Sequence, residues 1–419
     1  MISFWRIFWL EFTAWTRSKA LAMLIGASVL WMILFRFLVK GDGTAAGTRE
    51  LYVHFSLGGV FVLLVVALLA SATGSIARER AEKRLQLTMI RPVRHFSIVL
   101  GKILAHVAVG AIVLAVACAV LVCLTDPSVR CSHVLSPVLP SPQEEAKAMY
   151  EVFMKDPSTP DAVRRTKKEI VLRLLAQRAL DHYQSIPTNA TASWTFEGLR
   201  DSDELAVRMR FTNQYEMRQD VRGEFTLGDL HGTVSNITQA VLTIPLAARS
   251  SGGRRETGVL AFENQGTSAL MLRPRKDINL LSPADAFGWN LLRTFAALVS
   301  ILALVVSIGT FLSAGLGRPV ALFTAFVMLI VSEMSPSVVE QYPDELESNA
   351  VDRLGLYITR FAADVTRPVS AASPLEALAA DECVEPATVL HLAGADLLAV
   401  PVLLSLLAAL ILPFKQEDI

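Results

Sequence analysis

The stretch 78-RERAEKRLQLTMIRPVRHFSIVLGK-102 decides how the rest of the chain is arranged. Seven basic residues stand in it against the two acidic residues Glu79 and Glu82, and long apolar runs flank it on both sides. This pattern predicts a loop on one face of a membrane, and the excess of Arg and Lys indicates the cytoplasmic face. Leu85 and Ile90 add an apolar edge to a short charged helix that Pro92 ends. Such an edge is suited to contact with a lipid surface or with another protein.

The composition is that of a membrane protein with several spans and a soluble part. Of the 419 residues 53% are hydrophobic and only 19% are charged, and the mean hydropathy is +0.45. The formal net charge is zero, so nothing in the composition indicates a nucleic-acid partner. The aromatic N-terminus does not have the form of a cleavable signal peptide, and the richness in Ala, Leu and Arg favours a bacterial source.

Six apolar windows predict six transmembrane helices, with both termini in the cytoplasm and the chain in the inner (cytoplasmic) membrane. Residues 1–20 precede them as an amphipathic helix in the membrane interface, marked by Trp5, Arg6, Trp9 and Trp15. The windows are Leu21–Val39, Leu57–Ala72, Ile98–Leu124, Phe287–Leu312, Pro319–Val331 and Thr388–Phe414. The first three spans therefore lie within residues 21–124, with a cytoplasmic loop at 73–97 that we call the coupling loop.

Residues 125–286 predict an extracytoplasmic α+β domain between the third and fourth spans. A Pro-rich start predicts an extended linker, and residues 143–155 and 161–183 predict two helices. Short alternating runs, of which 205–211 is the clearest, predict a small antiparallel β-sandwich of about six or seven strands. The expected fold class is thus a mainly α membrane protein with six transmembrane helices and this inserted domain.

Residues 287–419 hold the last three spans, with an amphipathic outer loop at 335–387. Cys131 and Cys383 both fall on the outer side in this topology, which predicts a disulfide between them. Arg293 and Asp396 lie in the outer halves of two spans and are a candidate intramembrane pair. Such a pair could line a transport route, although a structural role is the more common one.

No motif for catalysis, a metal or ATP occurs in the sequence. There is no GxxxxGK[ST], GxSxG or HExxH, and the histidines and cysteines do not cluster. The prediction is therefore a chain that is not an enzyme and holds no cofactor of its own.

The coupling loop resembles the cytoplasmic signature of permease subunits of type-2 ATP-binding-cassette (ABC) exporters. The resemblance rests on the acidic and basic residues from Glu79 to Arg84, then Arg91-Pro92-Val93-Arg94, then an apolar triplet and Gly101-Lys102. Lys83-Arg84 stands where the family has a Gly-Thr pair. The aromatic first helix, the six windows and the amphipathic segment before the last one agree with it, over residues 1–124 and 287–419.

The resemblance implies a transport component without catalytic residues, which dimerises with a second permease copy or a paralogue. A separate cytoplasmic ABC ATPase subunit would bind the ATP and dock on the interface helix and on segment 78–92. The residues expected to couple that ATPase to the spans are Glu79, Arg80, Glu82, Arg84, Leu85, Arg91, Pro92, Gly101 and Lys102. An alternative prediction is a membrane-anchored binding or sensory protein whose extracytoplasmic domain captures a ligand without transport, and a third is a membrane enzyme acting on lipid-linked substrates.

Overall fold

A computed structural model of the chain describes residues 2–40, 45–83, 94–125, 129–156, 166–180, 182–199, 205–212, 220–238, 241–248, 257–341 and 374–414. The chain divides into two compact units. One consists of Met1–Cys131 together with Asp285–Ile419, and the other is Ser132–Ala284. The first is helical, and the second contains most of the sheet.

The helical unit is built from nine α-helices and one π-helix among the described residues. They are α1 (Ile2–Arg17), α2 (Ala20–Leu38), α3 (Ala45–Ala81), α4 (His95–Leu124), α7 (Phe287–Gly315), α8 (Arg318–Gln341), α9 (Pro374–Ala379), α10 (Pro386–Leu392), the π-helix π1 (Ala393–Ala399) and α11 (Val400–Phe414). The helices α5 and α6 belong to the other unit and are given below.

Five of the described helical segments are long and apolar enough to cross a membrane, so the chain is a multi-pass membrane protein. They are Ala20–Leu38, Gly47–Ala81, His95–Leu124, Phe287–Gly315 and Pro386–Leu412. The predicted fifth of six spans coincides with the start of α8, where the apolar part Arg318–Ile330 is shorter than a span. A sixth span therefore stays a prediction.

The coupling loop begins later than predicted. Helix α3 does not end at the edge of its apolar window but continues through the charged residues to Ala81. A turn follows at Glu82 and Lys83, and the next described residue is Arg94, just before α4. The predicted boundary at residue 73 is wrong because polar partners on neighbouring helices accommodate the charges of the last turn of α3, as shown below.

Helix α7 is the central helix of the helical unit. Of its most apolar stretch 72% is buried, a larger share than in any of the other four candidate spans. Leu302 and Val306 of α7 pack in one core with Leu64 of α3 and Ile103 of α4. Since dispersion and close packing hold helices together in lipid, the helix with most neighbours fixes the positions of the others.

The start of α7 is fastened to the segment between α9 and α10. The Asn290 side chain is completely buried, donating from Nδ2 to the Glu382 carbonyl oxygen at 2.7 Å and accepting from the Val384 backbone N–H at 2.8 Å. Cys383 lies between these two residues and forms a disulfide with Cys131, the pair expected from the sequence, with Cα atoms 5.2 Å apart. Asp381 forms an ion pair with Arg49 of α3. Of the predicted outer loop 335–387, residues 335–341 belong to α8, and 342–373 lie outside the described residues.

The second unit is organised around a sheet of eight strands, seven of which pair antiparallel in succession. The strand order is β1-β10-β4-β7-β6-β5-β8-β3, and β2 pairs with β9 separately. The strands are β1 (Arg130–Leu135), β2 (Gln184–Ile186), β3 (Thr191–Glu197), β4 (Leu205–Arg210), β5 (Asp220–Leu227), β6 (Leu230–Ile237), β7 (Val241–Ala248), β8 (Thr257–Asn264), β9 (Leu270–Leu272) and β10 (Ile278–Ala286).

The predicted sandwich is one continuous sheet whose halves share a core. The halves join where β6 meets β7, with Leu230 opposite Ala248. Phe211, next to β4, packs on Phe262 of β8 with ring centroids 4.9 Å apart, and Phe225 of β5 packs on the same ring at 4.6 Å. The predicted linker at the start of this region contains strand β1, because Arg130–Leu135 pairs at the sheet edge instead of remaining extended alone.

Helices α5 (Pro142–Lys155) and α6 (Lys168–Leu180) pack on each other through Ala146, Val171 and Leu175. Ser141 and Glu144 form a capping box at the start of α5, with Pro142 at the first helical position. The hydrogen bonds from Ser141 lower the pKa of Glu144. Because the pKa is lower in the folded chain, this cap contributes stability above the ordinary pKa of a glutamate and loses it as the pH falls through the lowered value.

The disulfide can be tested by mapping peptides from the protein as it is isolated from cells. We expect a non-reducing digest to contain Cys131 linked to Cys383, while Cys118 and Cys123, which are free thiols in the structure, react with an alkylating reagent. Alkylation of Cys131 and Cys383 without prior reduction would contradict the pairing.

Phe262→Ala should destabilise the sheet unit strongly. Phe262 is completely buried and its ring contacts two other phenylalanines, and removing such a ring typically costs about 3–5 kcal/mol. Val259→Ala is the matched control, since Val259 lies on the same strand with 56% of its surface exposed and should change stability by less than about 0.5 kcal/mol. Limited proteolysis of the full chain, followed at sites within 132–284, distinguishes the two. Equal protease resistance of both variants would show that the aromatic core is assigned wrongly.

Candidate coupling site

The last turn of α3 carries the charges that the sequence assigns to coupling. Glu79 and Arg80 are neighbours in the chain, and their side chains bind different helices. Together with Glu11 of α1 and Lys102 of α4 they form a set that we call the charged junction (Glu11, Glu79, Arg80 and Lys102).

Arg80 binds the carbonyl end of α7. Its guanidinium donates to the backbone oxygens of Ser313 at 3.2 Å, Ala314 at 3.1 Å and Leu316 at 3.0 Å. The last four carbonyl groups of a helix have no partner within the helix and carry a partial negative charge, so a cation there is favourable. Arg80 thus caps α7 from another helix.

Ser313 adds a second link between the same two helices. Its Oγ accepts hydrogen bonds from the backbone N–H groups of Ile76 at 3.2 Å and Ala77 at 3.0 Å. Ser313 is fully buried, so these bonds lie away from solvent, and α3 and α7 are held together along the last turns of both helices.

Lys102 connects α4 to α3 and α1. Its ammonium lies 2.7 Å from Glu79 Oε1 and 3.2 Å from Glu11 Oε1, and the residue has only 2% of its surface exposed. Burying an unpaired charge costs several kcal/mol, so the two carboxylates are what allow a lysine at this place. Two carboxylates beside one ammonium leave one negative charge in excess. Glu79 and Glu11 retain 27% and 18% of their side-chain surface exposed, and this contact with solvent lowers the free-energy cost of the excess charge.

His106 extends the polar contacts one turn further along α4. Its Nδ1 lies 2.8 Å from the Lys102 carbonyl oxygen, and since that oxygen can only accept, Nδ1 carries the proton. In the neutral ring Nε2 then accepts from the Ser71 hydroxyl of α3 at 3.0 Å. The Trp15 ring meets the imidazole edge to face, with centroids 5.8 Å apart, so α1 also packs against this histidine.

Helix α1 lies directly on α4 because of Gly101. A Cβ atom at this position would stand 3.1 Å from Ile7 Cγ2, which is tighter than an ordinary contact. Gly101 therefore allows the close approach of the two helices that brings Glu11 to Lys102. On the other face of α1 Trp5, Arg6 and Trp9 are exposed, as expected for a helix that faces lipid or another chain.

The structure brings together some of the predicted coupling residues and leaves others apart. Glu79, Arg80 and Lys102 belong to the charged junction, and Gly101 positions α1 beside it. Glu82 is exposed in the turn after α3. Arg84, Leu85, Arg91 and Pro92 lie outside the described residues.

Three contributors were not recognised as coupling residues from the sequence. Glu11 is the one acidic residue of the aromatic first helix, and its partner on α4 could not be inferred without the packing of the two helices. His106 stands four residues after Lys102, a spacing that places both on one face of a helix. Ser313 gives no signal in the sequence, because a serine near a helix end has many roles.

The predicted pair Arg293–Asp396 is wrong in the structure. The Arg293 guanidinium instead binds Asp285, eight residues earlier, with 2.7 Å between Nη1 and Oδ2. Similar depth in two spans does not bring two charges together when a nearer carboxylate stands just before the helix.

Residues 7–136, less than a third of the chain, match the family model described as ABC-2 family transporter protein. This match runs from within α1 to just beyond β1 and supports an ABC-2-type permease, as the sequence resemblance predicts. Comparison with curated proteins and with solved structures found no match. The five candidate spans indicate a multi-pass membrane protein, and residues 7–136 are similar to the ABC-2 transporter family.

Lys102→Met should destabilise the helical unit because it leaves two carboxylates together without their cation. We expect a loss of about 1–3 kcal/mol, less than for a fully buried pair since both carboxylates are partly exposed. Adding Glu79→Gln should restore part of the loss. The apparent melting temperature in detergent micelles measures both effects.

Arg78→Met is the matched control, since it removes a positive charge one residue before Glu79 from an exposed side chain. It should leave the melting temperature nearly unchanged. Equal melting temperatures for Lys102→Met and Arg78→Met would contradict the role given to Lys102.

Proposed function

We propose that this chain is the permease subunit of an ABC exporter, driven by a separate cytoplasmic ATPase subunit that docks on α1 and on segment 78–92. The observation that supports it most is the charged junction, because it joins the end of α3 to α1, α4 and α7. In this proposal the junction faces the cytoplasm, and the sheet unit lies on the opposite side of the membrane.

The mechanism follows from the bonds that the charged junction makes. When the ATPase displaces the segment after α3, Glu79 and Arg80 move first. Arg80 transmits the displacement to α7 through three carbonyl oxygens, and Glu79 transmits it to α4 through Lys102. Glu11 links α1 to the same lysine, so a second contact of the ATPase, on α1, would act on the same point.

The chain supplies no chemistry of its own in this cycle. ATP binding and hydrolysis take place on the partner subunit, and two permease copies, or one copy with a paralogue, enclose the route of the cargo. Efflux is the direction that the family resemblance favours.

The substitution Arg80→Gln tests the proposal. The partner used is an ATPase whose reading frame lies next to that of this chain and contains a nucleotide-binding loop. We expect the Arg80→Gln chain to retain its ATPase subunit on purification but to lose about tenfold of the permease-stimulated ATP hydrolysis in liposomes. Such a loss is within the 5–150-fold range of ordinary coupling between sites.

Arg222→Gln is the control, because Arg222 is an exposed arginine on β5 and lies outside α1 and segment 78–92. It should keep both association and stimulation. Two results would contradict the proposal: equal stimulation by the two variants, or failure of the unaltered chain to associate with any such ATPase. The second would favour a membrane-anchored binding protein without transport.

A further inference from the structure

The last candidate span contains a π-helical segment. Between α10 and α11 the chain adopts π1 (Ala393–Ala399), and the Val400 backbone N–H donates to the Ala395 carbonyl oxygen, five residues earlier. Such widened turns are rare and occur often at functional sites, since the inserted residue disturbs the regular bonding of the helix. The segment therefore marks a place in the span where a side chain is held in a special position.

That side chain is Asp396. It has 1% of its surface exposed, and its Oδ2 atom is buried without a hydrogen-bond partner among the described residues. Buried carboxylates are ordinarily satisfied by several donors, so an ionised group here would be highly unfavourable.

The polar groups of the neighbouring helix α7 are already bound elsewhere. Asn290 binds Glu382 and Val384, Arg293 binds Asp285, and the Thr294 hydroxyl donates to the Asn290 carbonyl oxygen at 2.9 Å. Helix α11 has no charged residue.

The one titratable residue of α10 is His391. It stands five residues before Asp396 and is exposed. Among the described residues, Oδ2 of Asp396 therefore has no hydrogen-bond donor.

We propose that Asp396 is a proton-binding site inside the last span. The carboxyl group carries a proton in the resting chain, which removes the charge and gives it a donor. The O–H of a protonated carboxyl group can donate to a backbone carbonyl oxygen of its own helix. The hydroxyl groups of Ser300 and Ser307 make such bonds in α7, each donating to the carbonyl oxygen four residues earlier.

This inference does not depend on the proposed transport function. It concerns the resting protonation of one carboxyl group, and it holds for a binding or sensory protein as well. An ATPase partner is therefore not needed to test it.

A hydrophobic carbodiimide tests the proposal on the full chain in lipid nanodiscs. The reagent adds to a protonated carboxyl group and leaves a stable acyl-urea that mass spectrometry assigns to one residue. At pH 7 an ordinary aspartate is neutral in only about one molecule in a thousand. We expect Asp396 to be modified at least about a hundredfold more than Asp285, which is paired with Arg293.

The proposal also predicts what substitutions do. Asp396→Asn resembles the neutral acid, so it should keep the melting temperature and abolish only this modification. Asp381→Asn is the matched control, because it removes the ion pair with Arg49 and should lower the melting temperature.

Two results would overturn the proposal. One is modification of Asp396 no greater than that of Asp285 in folded wild-type protein. The other is an infrared spectrum in which Asp396→Asn removes a carboxylate band instead of the carbonyl band of a protonated acid.

Discussion

The bonds of two adjacent residues, Glu79 and Arg80, are the constraint on which the organisation of the helical unit depends. Arg80 satisfies carbonyl groups at the end of α7, and Glu79 neutralises a lysine that would otherwise not be tolerated inside the unit. Each bond is modest by itself. Because the two side chains are consecutive on one helix, the end of α3 cannot shift without breaking contacts to α4 and α7, and Lys102 of α4 is bound in turn to Glu11 of α1. The segment that follows α3 therefore starts from a point fixed on several sides.

Helix α7 is held in a comparable way at its other end. Asn290 binds the backbone on both sides of Cys383, whose disulfide partner Cys131 lies just after α4, and the Phe287 backbone N–H donates to the Val129 carbonyl oxygen at 3.2 Å. A central helix fastened at both ends links the segments bound to its carbonyl end directly to those bound to its other end. That property suits a permease, in which an ATP-dependent movement at one face has to change the opposite face.

Much of this arrangement could be predicted from the sequence, and the failures have physical causes. The apolar windows placed α2, α4 and α7, and alternating residues such as those of β4 placed the sheet, because hydrophobic periodicity reports burial directly. The end of α3 was predicted too early, since its charges are accommodated by Lys102 and by carbonyl groups of α7, which no local pattern reveals. The pairing of Arg293 failed for a similar reason. Glu11 and Ser313 matter through partners far away in the sequence, and only the packed helices show them.

The central claim is that the end of α3 and the end of α7 move as one body. Spin labels at Arg78→Cys and Gly317→Cys test it most directly, in a chain whose free thiols Cys118 and Cys123 are replaced by serine. Both positions are exposed, and a side chain at Gly317 meets no atom within 4 Å. Pulsed electron-paramagnetic-resonance distances should stay narrow and unchanged between the nucleotide-free and the ATP-bound complex with the proposed ATPase subunit, and should broaden in Arg80→Gln. A distance that shifts on ATP binding in the chain with Arg80 intact would contradict the claim.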